Sequence, residues 1–157
     1  GAIFVGFTET LVVATPVMPA EFATTTMTYN GTGQMLGALF DPDATTDDFR
    51  ALAGDAGAVL GTNRATRAAL VTAGVVASDA LVADEWHIVR GELDEGGAGK
   101  VYVGHKGRSL DLILDVYGLP VVNQLYAVCM IENRGANANV FEVDYGYASG
   151  GRDWEAT

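Results

Sequence analysis

Glycine supplies 20 of the 157 residues, well above the average of about 7%, and the glycines fall between short apolar runs. Glycine inside a helix costs about 1 kcal/mol relative to alanine, whereas between strands it supplies the turns. The pattern therefore predicts many short strands. The second half of the chain shows them best. Trp86 to Leu93 reads as a strand, Asp94-Glu95-Gly96-Gly97-Ala98-Gly99 as a turn, and Lys100 to His105 as the returning strand of a hairpin. Lys106-Gly107-Arg108 then reads as a second turn, Ser109 to Tyr117 as a strand, and Gly118-Leu119-Pro120 as a breaker. Gln124 to Glu132 and Val140 to Tyr147 follow, the latter alternating apolar and polar residues.

In the first half, Ile3 to Ala14 and Phe22 to Tyr29 are rich in β-branched residues and threonine, and Asn30-Gly31-Thr32-Gly33 is a turn before Gln34 to Phe40. Between Asp47 and Ala83 two readings compete. Thr46 and Asn63 are suitable helix N-caps, but Gly54, Gly57, Gly61 and Gly74 interrupt both helices, so strands and loops are favoured. A chain of 157 residues is long enough to bury a sizeable core. No repeat or linker divides it, so residues 1–157 are expected to form one domain, with residues 1–21 as an N-terminal arm or edge strand.

Charge narrows the partners. The chain carries 9 Lys plus Arg against 20 Asp plus Glu, a formal net charge of −11, and its two lysines are Lys100 and Lys106. Nucleic-acid binding requires a basic face that neutralises phosphates, so nucleic acid and anionic membrane surfaces are excluded as partners. The apolar runs are far shorter than the ~18–20 residues of a membrane-spanning helix. Cys129 has no second cysteine and lies in the apolar run Tyr126 to Ile131, which predicts an inert core thiol. The chain begins at Gly1, without an initiator methionine or a basic leader, so it is expected to be a processed product or a piece of a larger gene product.

The run Asp84-Glu85-Trp86-His87-Ile88-Val89, followed after a glycine-rich turn by Val101-Tyr102-Val103-Gly104, resembles the signature of laminin-G-like and concanavalin A-like jelly-roll domains. The direct resemblance covers about 20 residues, with looser support over 22–148. It departs at Gly104-His105-Lys106-Gly107, where the family commonly has Asp-Gly. The resemblance implies an all-β fold, an antiparallel β-sandwich of jelly-roll type. It implies Trp86 as a core anchor, with Val89, Tyr102 and Phe141 in the core. No residues match the acidic calcium positions of some members, so no cofactor or metal is expected and calcium has no support.

Chemistry-bearing patterns are few. His87 has only His105 as a histidine companion, on a different turn, without metal-ligand spacing, so it reads as structural. Glu142 and Asp144 alternate on one predicted strand face, the placement that some jelly-roll glycoside hydrolases use, but Gly146 stands where a third acid would be. Asn30-Gly31-Thr32 fits a glycosylation sequon yet reads first as a turn. Two loops remain as candidate contacts: the basic tip with His105, Lys106 and Arg108, and the Asn-rich loop with Asn133, Asn137 and Asn139.

The acidic, lysine-poor, Ala/Gly/Thr/Val-rich composition is similar to that of bacteriophage structural proteins. With the lectin-like resemblance it leads to the expectation of a non-enzymatic structural or recognition module in a virion or at an extracellular surface, such as a capsid, decoration or fibre component. Its expected partners are other protein subunits, including copies of itself. The alternatives are a free carbohydrate-binding protein, or a glycoside hydrolase or lyase using Glu142 and Asp144.

Overall fold

The computed structural model describes residues 1–9, 17–24, 26–30, 33–44, 49–55, 58–59, 86–105, 110–119, 125–133, 142–143, 146–147 and 149. All regular structure among them is β, with no helix. The strands are β1 (Ala2–Thr8), β2 (Ala20–Ala23), β3 (Thr26–Tyr29), β4 (Met35–Phe40), β5 (Phe49–Asp55), β6 (Ala58–Val59), β7 (His87–Leu93), β8 (Gly99–His105), β9 (Asp111–Val116) and β10 (Tyr126–Glu132). They form a five-stranded sheet in the order β10-β1-β4-β5-β6, a three-stranded sheet β7-β8-β9 and the hairpin β2-β3. Every strand pairing is antiparallel.

The centre of the five-stranded sheet is covered on both faces, and its alternation explains how. On one face Leu36, Ala38, Phe49, Ala51 and Ala53 pack with Val101, Val103, Ile113, Leu114, Val116 and Leu119 under the three-stranded sheet. This is the face-to-face packing of two antiparallel sheets that defines a β-sandwich. On the other face Ala2, Phe4, Met35, Leu39 and Leu52 pack with Met18, Ala20 and Phe22 under the β2-β3 hairpin. β4 is consequently buried along almost its whole length. A β-bulge between β8 and β9 leaves Ile113 as the extra residue: Val101 pairs with Leu114 and Tyr102 with Leu112. The bulge turns two consecutive residues, Ile113 and Leu114, into the core, at 1% and 2% exposure.

Local hydrogen bonds fix the connections. The buried Asp41 carboxylate accepts from the Phe22 N–H at 2.7 Å and the Asp43 N–H at 3.1 Å, and the Thr24 N–H donates to the Asp43 carbonyl at 2.8 Å. This loop holds the covering hairpin onto the sheet. Asn30 closes the other end of the hairpin, donating its side-chain amide to the Met18 carbonyl and the Glu21 carboxylate. The sequon residue is thus engaged in the fold. In the β7-β8 turn the Asp94 carboxylate accepts from the Gly96 and Ala98 N–H groups, at 2.9 and 2.8 Å. Gly97 has φ +79°, and a Cβ there would strike the Leu119 carbonyl, whose residue donates its N–H to the Gly97 carbonyl at 3.1 Å.

Several expectations are corrected. Ala2–Thr8, within the expected N-terminal arm or edge strand, is not at an edge: among the described residues β1 lies inside the sheet between β10 and β4, with Ala2 and Phe4 fully buried. Phe22 to Tyr29 is split by Thr24, at φ 60°, into the two arms of a hairpin. Phe49–Asp55 forms strand β5, as favoured over a capped helix, while residues 60–83, with the helix that Asn63 would cap, lie outside the described residues. In the predicted strand Val140 to Tyr147, the described residues Glu142, Val143, Gly146 and Tyr147 belong to no strand. Val143 and Tyr147 are 58% and 75% exposed, so they bury no apolar face.

Candidate functional site

Alternation along β7 divides its side chains. His87, Val89 and Leu93 face the sandwich interior, Val89 and Leu93 packing against the core. Ile88, Arg90 and Glu92 therefore face outward, as does Trp86 immediately before the strand. Trp86 and Ile88 are 41% and 45% exposed. Trp86 is not the expected core anchor, because it stands an odd number of residues from the inward Val89.

Tyr102 is corrected for the same reason. It is the register partner of Arg90 on the outer face, half-buried, with its hydroxyl donating to Glu92 at 3.2 Å. Arg90 forms an ion pair with Glu92 and lies over the Tyr102 ring, 5.6 Å from its centroid. The ladder continues this polar row, setting Lys100 opposite Glu92 on one side and Asp115 on the other. Exposed ion pairs of this kind contribute about 0–1 kcal/mol. Their effect is to fix the orientation of Arg90, Glu92 and Tyr102 on this face. The face thus presents an indole, a phenol and a guanidinium–carboxylate pair, groups that recognise a ligand by stacking and hydrogen bonding.

A second surface adjoins it. Among the described residues, β10 forms one edge of the five-stranded sheet. β7 packs over β1 and β4, so β10 projects beyond the three-stranded sheet on the same flank. Val128 and Met130 pack inward under the β2-β3 hairpin. On the opposite face Ala127, Cys129 and Ile131 are exposed. Tyr126 and Ile131 are 40% and 46% exposed. Cys129 is therefore an edge-strand thiol and not a core one. Desolvation by its neighbours nonetheless pushes its thiol pKa up, which favours the neutral, unreactive form.

The two histidines, read in the sequence as lacking metal-ligand spacing, are Cα partners in the β7-β8 ladder, His87 opposite His105. The His87 ring lies 6.0 Å from that of Phe49. Counting outward from the Asp94 turn finds this pairing in the sequence. Of the expected contact residues, His105 ends β8 and Asn133 follows β10 as an exposed residue. Lys106, Arg108, Asn137 and Asn139 lie outside the described residues, as do Phe141 and Asp144. Glu142 is exposed and outside any strand, so the alternation that would have aligned it with Asp144 is absent at its position. Among the described residues no three His, Cys, Asp or Glu side chains form a metal-binding group. Sequence reasoning missed Arg90, Glu92 and the exposed face of β10.

Comparison with protein-family models, with curated proteins and with solved structures finds no match to this chain.

Proposed function

We propose that this protein is a non-enzymatic β-sandwich of jelly-roll type serving as a structural or recognition subunit of a larger surface assembly, such as a bacteriophage capsid, decoration or fibre component. The observation that carries this reading is the set of exposed apolar side chains at two sheet edges. Trp86 and Ile88 stand beside the edge of one sheet, and Tyr126 and Ile131 on the edge of the other. A sheet edge carrying exposed apolar side chains is a place where another chain can pair and pack. The acidic charge keeps copies apart elsewhere and so favours contact through uncharged surface. Electron microscopy and native mass measurement of the purified chain test the reading. Defined oligomers or particles are expected, and a strict monomer at every concentration, never incorporated into a particle, overturns it.

A second reading, a carbohydrate-binding module, is favoured by the exposed Trp86 and, further along the same face, the Arg90, Glu92 and Tyr102 cluster. An exposed indole suits stacking against a sugar, and fixed polar groups suit its hydroxyls. A glycan array tests it: saturable binding lost in Trp86→Ala supports the module, and no binding to neutral or acidic glycans excludes it.

A further inference from the structure

We propose that β10 is a self-association edge, along which two copies of this chain pair antiparallel about a two-fold axis at Cys129. The proposal takes its setting from the assembly reading and names the partner as a second copy. A sheet edge presents unpaired backbone N–H and C=O groups. Soluble proteins usually blunt such edges with charge, proline, bulges or short strands. β10 has none of these devices over its first six residues, Tyr-Ala-Val-Cys-Met-Ile, before Glu132. It runs seven residues in continuous register with β1, without a bulge.

Three features favour a copy as the occupant. The first is charge: in a chain of net charge −11, the contact that brings two copies together must avoid carboxylates, and residues 126–131 carry none. The second is symmetry. Cys129 is the midpoint of Tyr126–Glu132, so an isologous pairing would set Cys129 against its own counterpart. The third is side-chain size. In that register Ala127 would meet Ile131 of the second copy on one face, and Val128 would meet Met130 on the other, so small residues face larger ones. The two five-stranded sheets would join into one, with Ala127, Cys129 and Ile131 lying beside their counterparts on a shared face.

The test uses the full chain, whose sole cysteine is Cys129. Directly opposed residues in an antiparallel pair have Cβ atoms about 4.5–5.5 Å apart, so a short bismaleimide, adding one thiol to each end, will link two native chains through Cys129. Ile131→Lys, at an exposed position, will abolish the link and halve the mass of the dimeric species; Ala127→Lys is the second variant. Amide exchange over Tyr126–Glu132 will slow as concentration rises. Failure to link, or linking that persists in both lysine variants, overturns the proposal. Exchange protection independent of concentration also overturns it, by showing that the chain's own residues cover the edge. Assemblies that form without a Cys129 link would overturn the pairing alone and leave the assembly reading intact. Pairs that build nothing larger would do the reverse.

Discussion

Gly6 and Gly37 are direct partners across β1 and β4, so close that a Cβ on Gly6 would lie 2.5 Å from the Gly37 Cα. A Cβ on Gly37 would meet the Phe4 ring at 2.8 Å and the Gly6 Cα at 2.9 Å. The obstacle is mainly backbone, which cannot rotate away. Gly6→Ala and Gly37→Ala are each expected to destabilise by about 1–3 kcal/mol, the usual range of overpacking. Gly91→Ala, whose nearest obstacle is the Phe7 ring at 3.0 Å, should cost less. Urea denaturation of the three variants checks the order.

The two aromatic residues Phe4 and Trp86 should behave oppositely to their sizes. Phe4 is fully buried, while Trp86 is 41% exposed. Phe4→Ala is expected to cost about 3–5 kcal/mol through the cavity it leaves. Trp86→Ala should cost less than about 1 kcal/mol, as surface substitutions do. Thermal denaturation that ranks them the other way would place Trp86 in the core.

Asp41→Ala removes the acceptor of the buried Phe22 N–H and of the Asp43 N–H. Stranding a buried donor costs about 1–3 kcal/mol. Because these bonds hold the β2-β3 hairpin, the expected signature is local: amide exchange at Phe22 should accelerate more than at Val101 in the opposite core.

The Cys129 thiol pKa is raised by desolvation, so at a given alkaline pH the folded chain holds less thiolate than a free cysteine. Alkylation by iodoacetamide should be slower in the native protein than after unfolding in urea. The sign for stability follows. The unfolded chain ionises this thiol first, so the contribution of the neutral form is fully present below the ordinary thiol pKa and is lost as pH rises through the raised one. Equal alkylation rates in the two states would contradict both.

Much of the second sheet was legible in the sequence because its hairpin is spelled locally. Asp94, Gly96 and Gly97 sit where the turn needs them, and β7 and β8 lie within one residue of their predicted bounds. Treating Trp86 and Val89 as joint core residues was the avoidable error: three residues apart on one strand, they cannot share a face. The first sheet was harder to read. β4, Met-Leu-Gly-Ala-Leu-Phe, shows no alternation, because a hairpin covers the face that an ordinary two-layer sandwich would leave to solvent. The exposed face of β10 was illegible for the converse reason, since an apolar run reads as buried unless the strand order is known. Composition alone could not show that Cys129 lies on an edge.

The place of β1 has a consequence for how the chain acquires its fold. β1 is bonded on one side to β4, which follows after the β2-β3 hairpin, and on the other to β10, where Ala2 meets Glu132. The β1–β4 and β4–β5 pairs close short loops and can form early. The β1–β10 pair must close nearly the whole chain, and long-range pairing of this kind is slow. During synthesis from the N-terminus, β1 would wait with one side unpaired until residue 132 emerged. That interval is when the sheet is most open to pairing with the wrong chain.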